Sequence, residues 1–98
     1  MYATLSYDIN AGSEPIEDVR DAVLKALGNT RERCDVLSDT LICEIDDAGD
    51  YEDLVDSLRE VGTEFSGQFQ FVITLHEAKS PLRSNGKFVR ADAKAIIG

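Results

Sequence analysis

Few side chains in this sequence have chemistry that spacing could turn to use. Asp8 closes the stretch MYATLSYDIN, in which Ala3, Leu5, Tyr7 and Ile9 fall on one face of a strand and Tyr2, Thr4, Ser6 and Asp8 on the other. A carboxylate there can accept backbone amides of the turn through Asn10 and Gly12, or it can face outward and take a ligand. His76 is the only histidine, and so the only side chain whose ordinary titration falls near neutrality. Glu44 and Asp46 alternate onto the face that carries Asp8. Cys34 and Cys43 are too few, and too far from any histidine, to make a zinc site, so they read as small buried hydrophobes.

These residues depend on the elements that carry them. Asn10 to Gly12 is a turn, and Ser13 and Pro15 sit at the start of a helix in which Ile16, Val19, Val23 and Leu27 recur at three- and four-residue steps. Ala22 and Ala26 fill the same stripe, and Gly28-Asn29 stops it. In RERCDVLSDTLICEID, a two-residue turn at Ser38-Asp39 sets Leu37 against Thr40, Val36 against Leu41 and Cys34 against Cys43. That register puts Cys34, Val36, Leu41, Cys43 and Ile45 on one face and Asp35, Leu37, Ile42, Glu44 and Asp46 on the other. The opposed cysteines could close a strained cross-strand disulfide on oxidation.

Asp50 reads as the N-cap of a second helix with the apolar stripe Tyr51, Leu54, Leu58 and Val61, and its end as either Gly62 or a further turn that takes in Phe65. A fourth strand, QFQFVITLHE, turns Phe69, Phe71, Ile73 and Leu75 inward and Gln68, Gln70, Val72, Thr74 and His76 outward. Past Ser80-Pro81 the chain reads as a short fifth strand around Phe88 to Arg90 with a helical end, or as one longer strand.

The order strand, helix, strand, strand, helix, strand specifies an α+β, ferredoxin-like βαββαβ fold, with a four-stranded antiparallel sheet and two helices on one face. We expect a domain over residues 1–78 and a basic C-terminal arm over 79–98. The uncovered face would carry Tyr2, Leu37, Ile42 and Val72 among polar residues, more apolar surface than a solvated sheet shows. Homodimerisation through this face, or cover by the C-terminal segment, is therefore expected. Phe88, Val89, Ile96 and Ile97 would let the arm pair with a partner subunit's sheet edge.

Charge narrows the partners. The net charge is -9, and residues 1–77 hold five Lys and Arg against 18 Asp and Glu, while 78–98 hold five against one Asp. An acidic body repels a polyanion unless the tail lines the contact. No apolar run is long enough to cross a bilayer and the start is not that of a secretory signal, so no membrane association and a cytoplasmic location are expected.

Met1-Tyr2, the strand end Ser6-Tyr7-Asp8-Ile9, the paired Val36-Leu37-Ser38 and Thr40-Leu41-Ile42, and the fourth-strand Phe71-Val72-Ile73 carry a family likeness. Over roughly residues 1 to 77 the chain resembles the small CRISPR-associated endoribonuclease of the spacer-acquisition complex and its toxin-antitoxin relatives of the virulence-associated protein D type. The resemblance implies a homodimer in which two aspartates near the two-fold hold one divalent metal that activates water against an RNA or DNA phosphodiester. By that resemblance the catalytic and metal-binding role would fall on Asp8, with Mg²⁺ as the expected cofactor, and Ser38 matches the family's polar position in the middle strands. The sequence departs from the family in basic residues: in the segment from helix to second strand Arg31 and Arg33 are the only candidates, set among Glu32, Asp35 and Asp39. Some members of this fold group act as scaffolds without nuclease activity. The competing expectation is therefore a non-enzymatic interaction module (an antitoxin, a nuclease inhibitor or an assembly scaffold) whose acidic helices dock on a basic protein.

Overall fold

The computed structural model of the chain describes residues 1–37, 39–77 and 89–97. Strand β1 spans Tyr2–Ile9, helix α1 Ile16–Leu27, β2 Cys34–Leu37, β3 Thr40–Glu44, α2 Ala48–Glu64, β4 Phe69–His76, β5 Val89–Ala91 and the short α3 Lys94–Ile97. A 3₁₀ segment, Gly28–Glu32, joins α1 to β2.

The strands form one antiparallel sheet in the order β4-β1-β3-β2-β5. β1 and β2 are parallel with β3 between them, and β3 and β4 are parallel with β1 between them, so each helix spans a split βαβ unit. This is the ferredoxin-like arrangement, and the hairpin has the expected register, with Cys34 opposite Cys43 and Val36 opposite Leu41. A slip of one residue would have moved every apolar side chain of the hairpin to the wrong face.

The core lies between sheet and helices. β1 gives it Ala3, Leu5 and Tyr7, the hairpin gives Cys34, Val36, Leu41 and Cys43, and β4 gives Phe69. From above, α1 contributes Val19, Val23, Leu24 and Leu27, and α2 contributes Leu54, Leu58 and Val61. The C-terminal segment joins the same core through Ala93 and Ile97. Here β5 lies on β2 of its own chain, with Ala91 opposite Cys34. Three contacts dock the residues after β5: the Ala93 amide donates to the Arg31 carbonyl at 2.7 Å, and Arg31 Nε and Nη2 donate to the Asp92 carboxylate at 3.2 and 3.3 Å.

Several boundaries differ from expectation. Asp47, not Asp50, caps α2: its carboxylate accepts the Asp50 amide at 2.9 Å, which places Asp50 inside the first turn. Of its two expected ends the helix takes the later, running through Gly62 to where the Phe65 amide reaches the Val61 carbonyl, the reversal being made by Gly67 at φ 80°. Pro15, rather than Ser13, stands at the N-cap position of α1. The expectations for Ser38 and for residues 78–88 fall outside the described residues.

The face away from the helices is unevenly covered. Val72 is 68% exposed, but Ile42 is only 3% exposed and Asp35 is buried as well. The apolar surface expected around Ile42 therefore contracts toward β4.

Candidate functional site

Asp8 stands at the exposed end of β1 on the open face, opposite Gln70 of β4. Beside it, the hairpin connection is drawn in by a hydrogen bond from the Tyr7 amide to the Asp39 carbonyl, 3.3 Å. Ser6, Asp8, Asp39, Gln70 and Val72 thus line one shallow groove of about 380 Å³, with Tyr7 and Phe71 at its margin. Thr40 connects the two sides, since its hydroxyl lies 3.4 Å from that of Ser6 and donates to Asp39 Oδ1 at 3.4 Å.

The turn after β1 does not use Asp8. Its polar groups are held by Gln68, which is 3% exposed although its place in the strand alternation points outward. Gln68 Nε2 donates to the Asn10 and Glu14 carbonyls at 3.3 and 2.9 Å, Oε1 accepts the Glu14 amide at 3.1 Å, and the Gln68 carbonyl accepts the Asn10 amide at 2.8 Å. The reading in which Asp8 stabilises the turn through Asn10 and Gly12 is corrected accordingly. Among the described residues the Asp8 carboxylate has no hydrogen-bond or ion-pair partner.

Sequence reasoning missed Asp39 because it reads as a turn residue. Only the register, which carries the hairpin end past Ser6 alongside Tyr7, brings it to the same groove as Asp8. The Tyr7 hydroxyl is held above its ordinary pKa by burial, then by the Asp39 charge, against a smaller opposing effect of Arg20. Electrostatically, the groove is negative.

The other candidates lie elsewhere. His76 is opposite Tyr2, six positions from the Asp8–Gln70 pair, or about 20 Å at ~3.3 Å per residue. It is half-buried rather than solvated, with Nε2 3.0 Å from Thr4 Oγ1 and its ring stacked on Tyr2 at 6.2 Å between centroids. Glu44 is likewise opposite Tyr2, and Arg33 pairs with it at 3.7 Å and with Asp46 at 3.1 Å. Both arginines of the helix-to-strand segment are thus paired with carboxylates, Arg33 here and Arg31 with Asp92.

Asp8, Asp39, Ser6 and Gln70 are all oxygen donors, the kind a hard cation such as Mg²⁺ accepts while keeping several waters. Among the described residues no group of three or more His, Cys, Asp or Glu is placed to hold a metal within one chain. The donor set fits Mg²⁺ in type and needs further ligands, from a second copy or a substrate, in number.

No protein-family model matches the chain, and no curated protein matches it. Among solved structures it is similar to a Bacillus cereus domain of unknown function, DUF77, with 16% identity over 81% of this chain and 76% of that one, at a TM-score of 0.46. The assignment of the fold rests on the strand order and register above. No helix among the described residues is long and apolar enough to cross a membrane.

Proposed function

We propose that the chain is a homodimeric, metal-dependent phosphodiesterase acting on RNA or DNA, of the CRISPR-associated or toxin-antitoxin type, with Asp8 of each copy as the central ligand. One observation carries this reading: Asp8 is exposed at a groove and released from structural duty, because Gln68 holds the turn that succeeds it. Val72, 68% exposed beside that groove, supplies an apolar contact for a second copy. A two-fold axis near it would bring two Asp8 carboxylates together, with Asp39 flanking each. Mg²⁺, when bound there, would activate water for attack on phosphorus. Ser38, by the family likeness, would contribute as the polar residue of the middle strands.

A second reading has its own support. Glu17, Asp18, Asp21, Glu52, Asp53, Asp56, Glu60 and Glu64 are exposed on the helical layer, against Lys25 and Arg59. With Arg31 and Arg33 paired to carboxylates, that layer suits a basic protein partner better than a nucleic acid. The chain would then be an antitoxin, an inhibitor or a scaffold.

One assay separates the two. Wild type and Asp8→Ala are incubated with structured RNA and with duplex DNA, in Mg²⁺ and in EDTA. Cleavage that needs Mg²⁺ and falls at least about a hundredfold in the variant supports the enzyme, on the scale of removing a metal-dependent step. Absence of cleavage, or equal cleavage by both proteins, rejects it in favour of the interaction module.

A further inference from the structure

We propose that Cys34 and Cys43 form a buried dithiol that a hydroperoxide converts into a disulfide across the β2–β3 hairpin, a modification site independent of the Asp8 groove. The two residues face each other in register and their Sγ atoms are 3.3 Å apart. Their position in the ladder matters as much as the distance. The Glu44 amide donates to the Arg33 carbonyl at 2.9 Å, which makes 33/44 a hydrogen-bonded pair and the adjacent 34/43 a non-hydrogen-bonded one. At such pairs the Cα atoms approach to about 4.5 Å and the side chains are closest. That lies at the short end of the Cα range that disulfides span, about 4.4 to 6.8 Å.

The surroundings favour a pair that reacts with itself. Both side chains are fully buried in the core, so a second protein's thiol has no access to either. Cys34 Sγ–H has two acceptors within reach, the Thr30 carbonyl at 2.8 Å and Cys43 Sγ at 3.3 Å. Contact with Cys34, together with burial, pushes the Cys43 thiol above its ordinary pKa, so the closed sheet holds it protonated and slow to react. Entry requires local opening, and the neighbour of Cys34 is the three-residue β5, succeeded by the four-residue α3. A three-residue strand at the edge of a sheet is held by few ladder bonds, and such elements open at the low end of a protein's stability range.

The chemistry balances without a cofactor. One thiolate attacks a peroxide oxygen and breaks the O–O bond, giving a sulfenic acid and, with hydrogen peroxide, one water after proton transfer. The second thiol then displaces the sulfenic oxygen as another water and forms the S–S bond. Two thiols are oxidised by two electrons and one peroxide is reduced to two waters. Closure removes the proton that Cys34 can give to Thr30, in the 3₁₀ segment whose Arg31 holds Asp92. Oxidation is thereby transmitted to the docking of the C-terminal segment.

The full-length native protein is treated with hydrogen peroxide, quenched, and unfolded for thiol titration, intact mass measurement and peptide mapping. The expected result is loss of both free thiols together, a mass lower by two hydrogen atoms, a mapped Cys34–Cys43 bond within one chain, and reversal by dithiothreitol. A native protein that keeps both thiols at peroxide levels that oxidise the urea-unfolded chain overturns the proposal. So does pairing between chains, or independent oxidation of each sulfur to sulfinic acid.

Discussion

The loop after Asp8 is pinned by a single side chain, and removing it gives a sharp test of how the groove is built. Gln68→Ala deletes three hydrogen bonds, those of Nε2 to Asn10 and Glu14 and that of the Glu14 amide to Oε1. At about 0.5 to 1.5 kcal/mol net for each bond, and with water free to reach the exposed loop, the loss is about 2 kcal/mol. For a domain of this size that lowers the thermal midpoint by roughly 8 to 16 °C. Gly12 provides the decisive second arm. A Cβ at Gly12 would lie 2.5 Å from Gln68 Cγ and Cδ and 3.0 Å from Oε1, so Gly12→Ala must displace a buried, hydrogen-bonded amide at a cost of about 1 to 3 kcal/mol. The three atoms nearest to it all belong to Gln68, and Gly12 is not among the positive-φ glycines. In the Gln68→Ala background the same change should therefore be neutral, or stabilising by up to about 1 kcal/mol through the unfolded chain. Urea and thermal unfolding of the four proteins measure the cycle. A midpoint shift below roughly 3 °C for Gln68→Ala, or strictly additive effects, would show that Gln68 does not hold this loop.

Three other perturbations probe the dimer, the carboxylate and the C-terminal segment. Val72→Glu, at a site 68% exposed, should leave monomer stability within about 0.5 kcal/mol while abolishing the dimer seen by light scattering; a wild type that is monomeric at every concentration defeats the two-fold model. Asp8→Asn, on an exposed side chain, should unfold within about 0.5 kcal/mol of wild type, so a large loss of stability would mean that Asp8 has a structural role. The Lys94 amide, then Arg31, hold the Asp92 carboxyl below its ordinary pKa. A depressed carboxylate contributes stability above its unfolded pKa of about 3.9 and loses it as pH falls through the lower folded value. Exchange at the Ala93 and Ile97 amides, corrected for intrinsic rate, should rise in that acid window in wild type and not in Asp92→Asn.

The parts of the fold visible in the sequence are those where burial has a strict period. The hairpin register is legible because Cys34, Val36, Leu41 and Cys43 agree in only one alignment, and α1 because its stripe recurs without interruption. Boundaries are less legible, for local reasons. Asp47 and Asp50 are both competent caps three residues apart, and the choice falls to the one whose side chain reaches the other's amide. Gly62 resembles a stop, but an added Cβ there would come no nearer than 3.8 Å to the Phe69 carbonyl, and burial of Phe65 carries the helix past it. Alternation assigns Gln68 outward, yet it precedes the first residue of β4 and obeys the loop it serves.

The site itself can be read only in part, because Asp8 and Asp39 share a groove through a pairing that no local pattern encodes. What distinguishes the two ends of the open face is satisfaction. At the Tyr2 end, His76 has Thr4 and the Tyr2 ring, and Arg33 has Glu44 and Asp46. These groups face one another, and a ligand binding there would have to break existing contacts. At the Asp8 end the carboxylate faces solvent beside an exposed valine, while the backbone behind it is fixed by Gln68. A ligand arriving at the Asp8 carboxylate gains contacts without first displacing a partner of that group. That asymmetry, rather than the mere presence of an aspartate after a tyrosine, places the candidate chemistry at the Asp8 end.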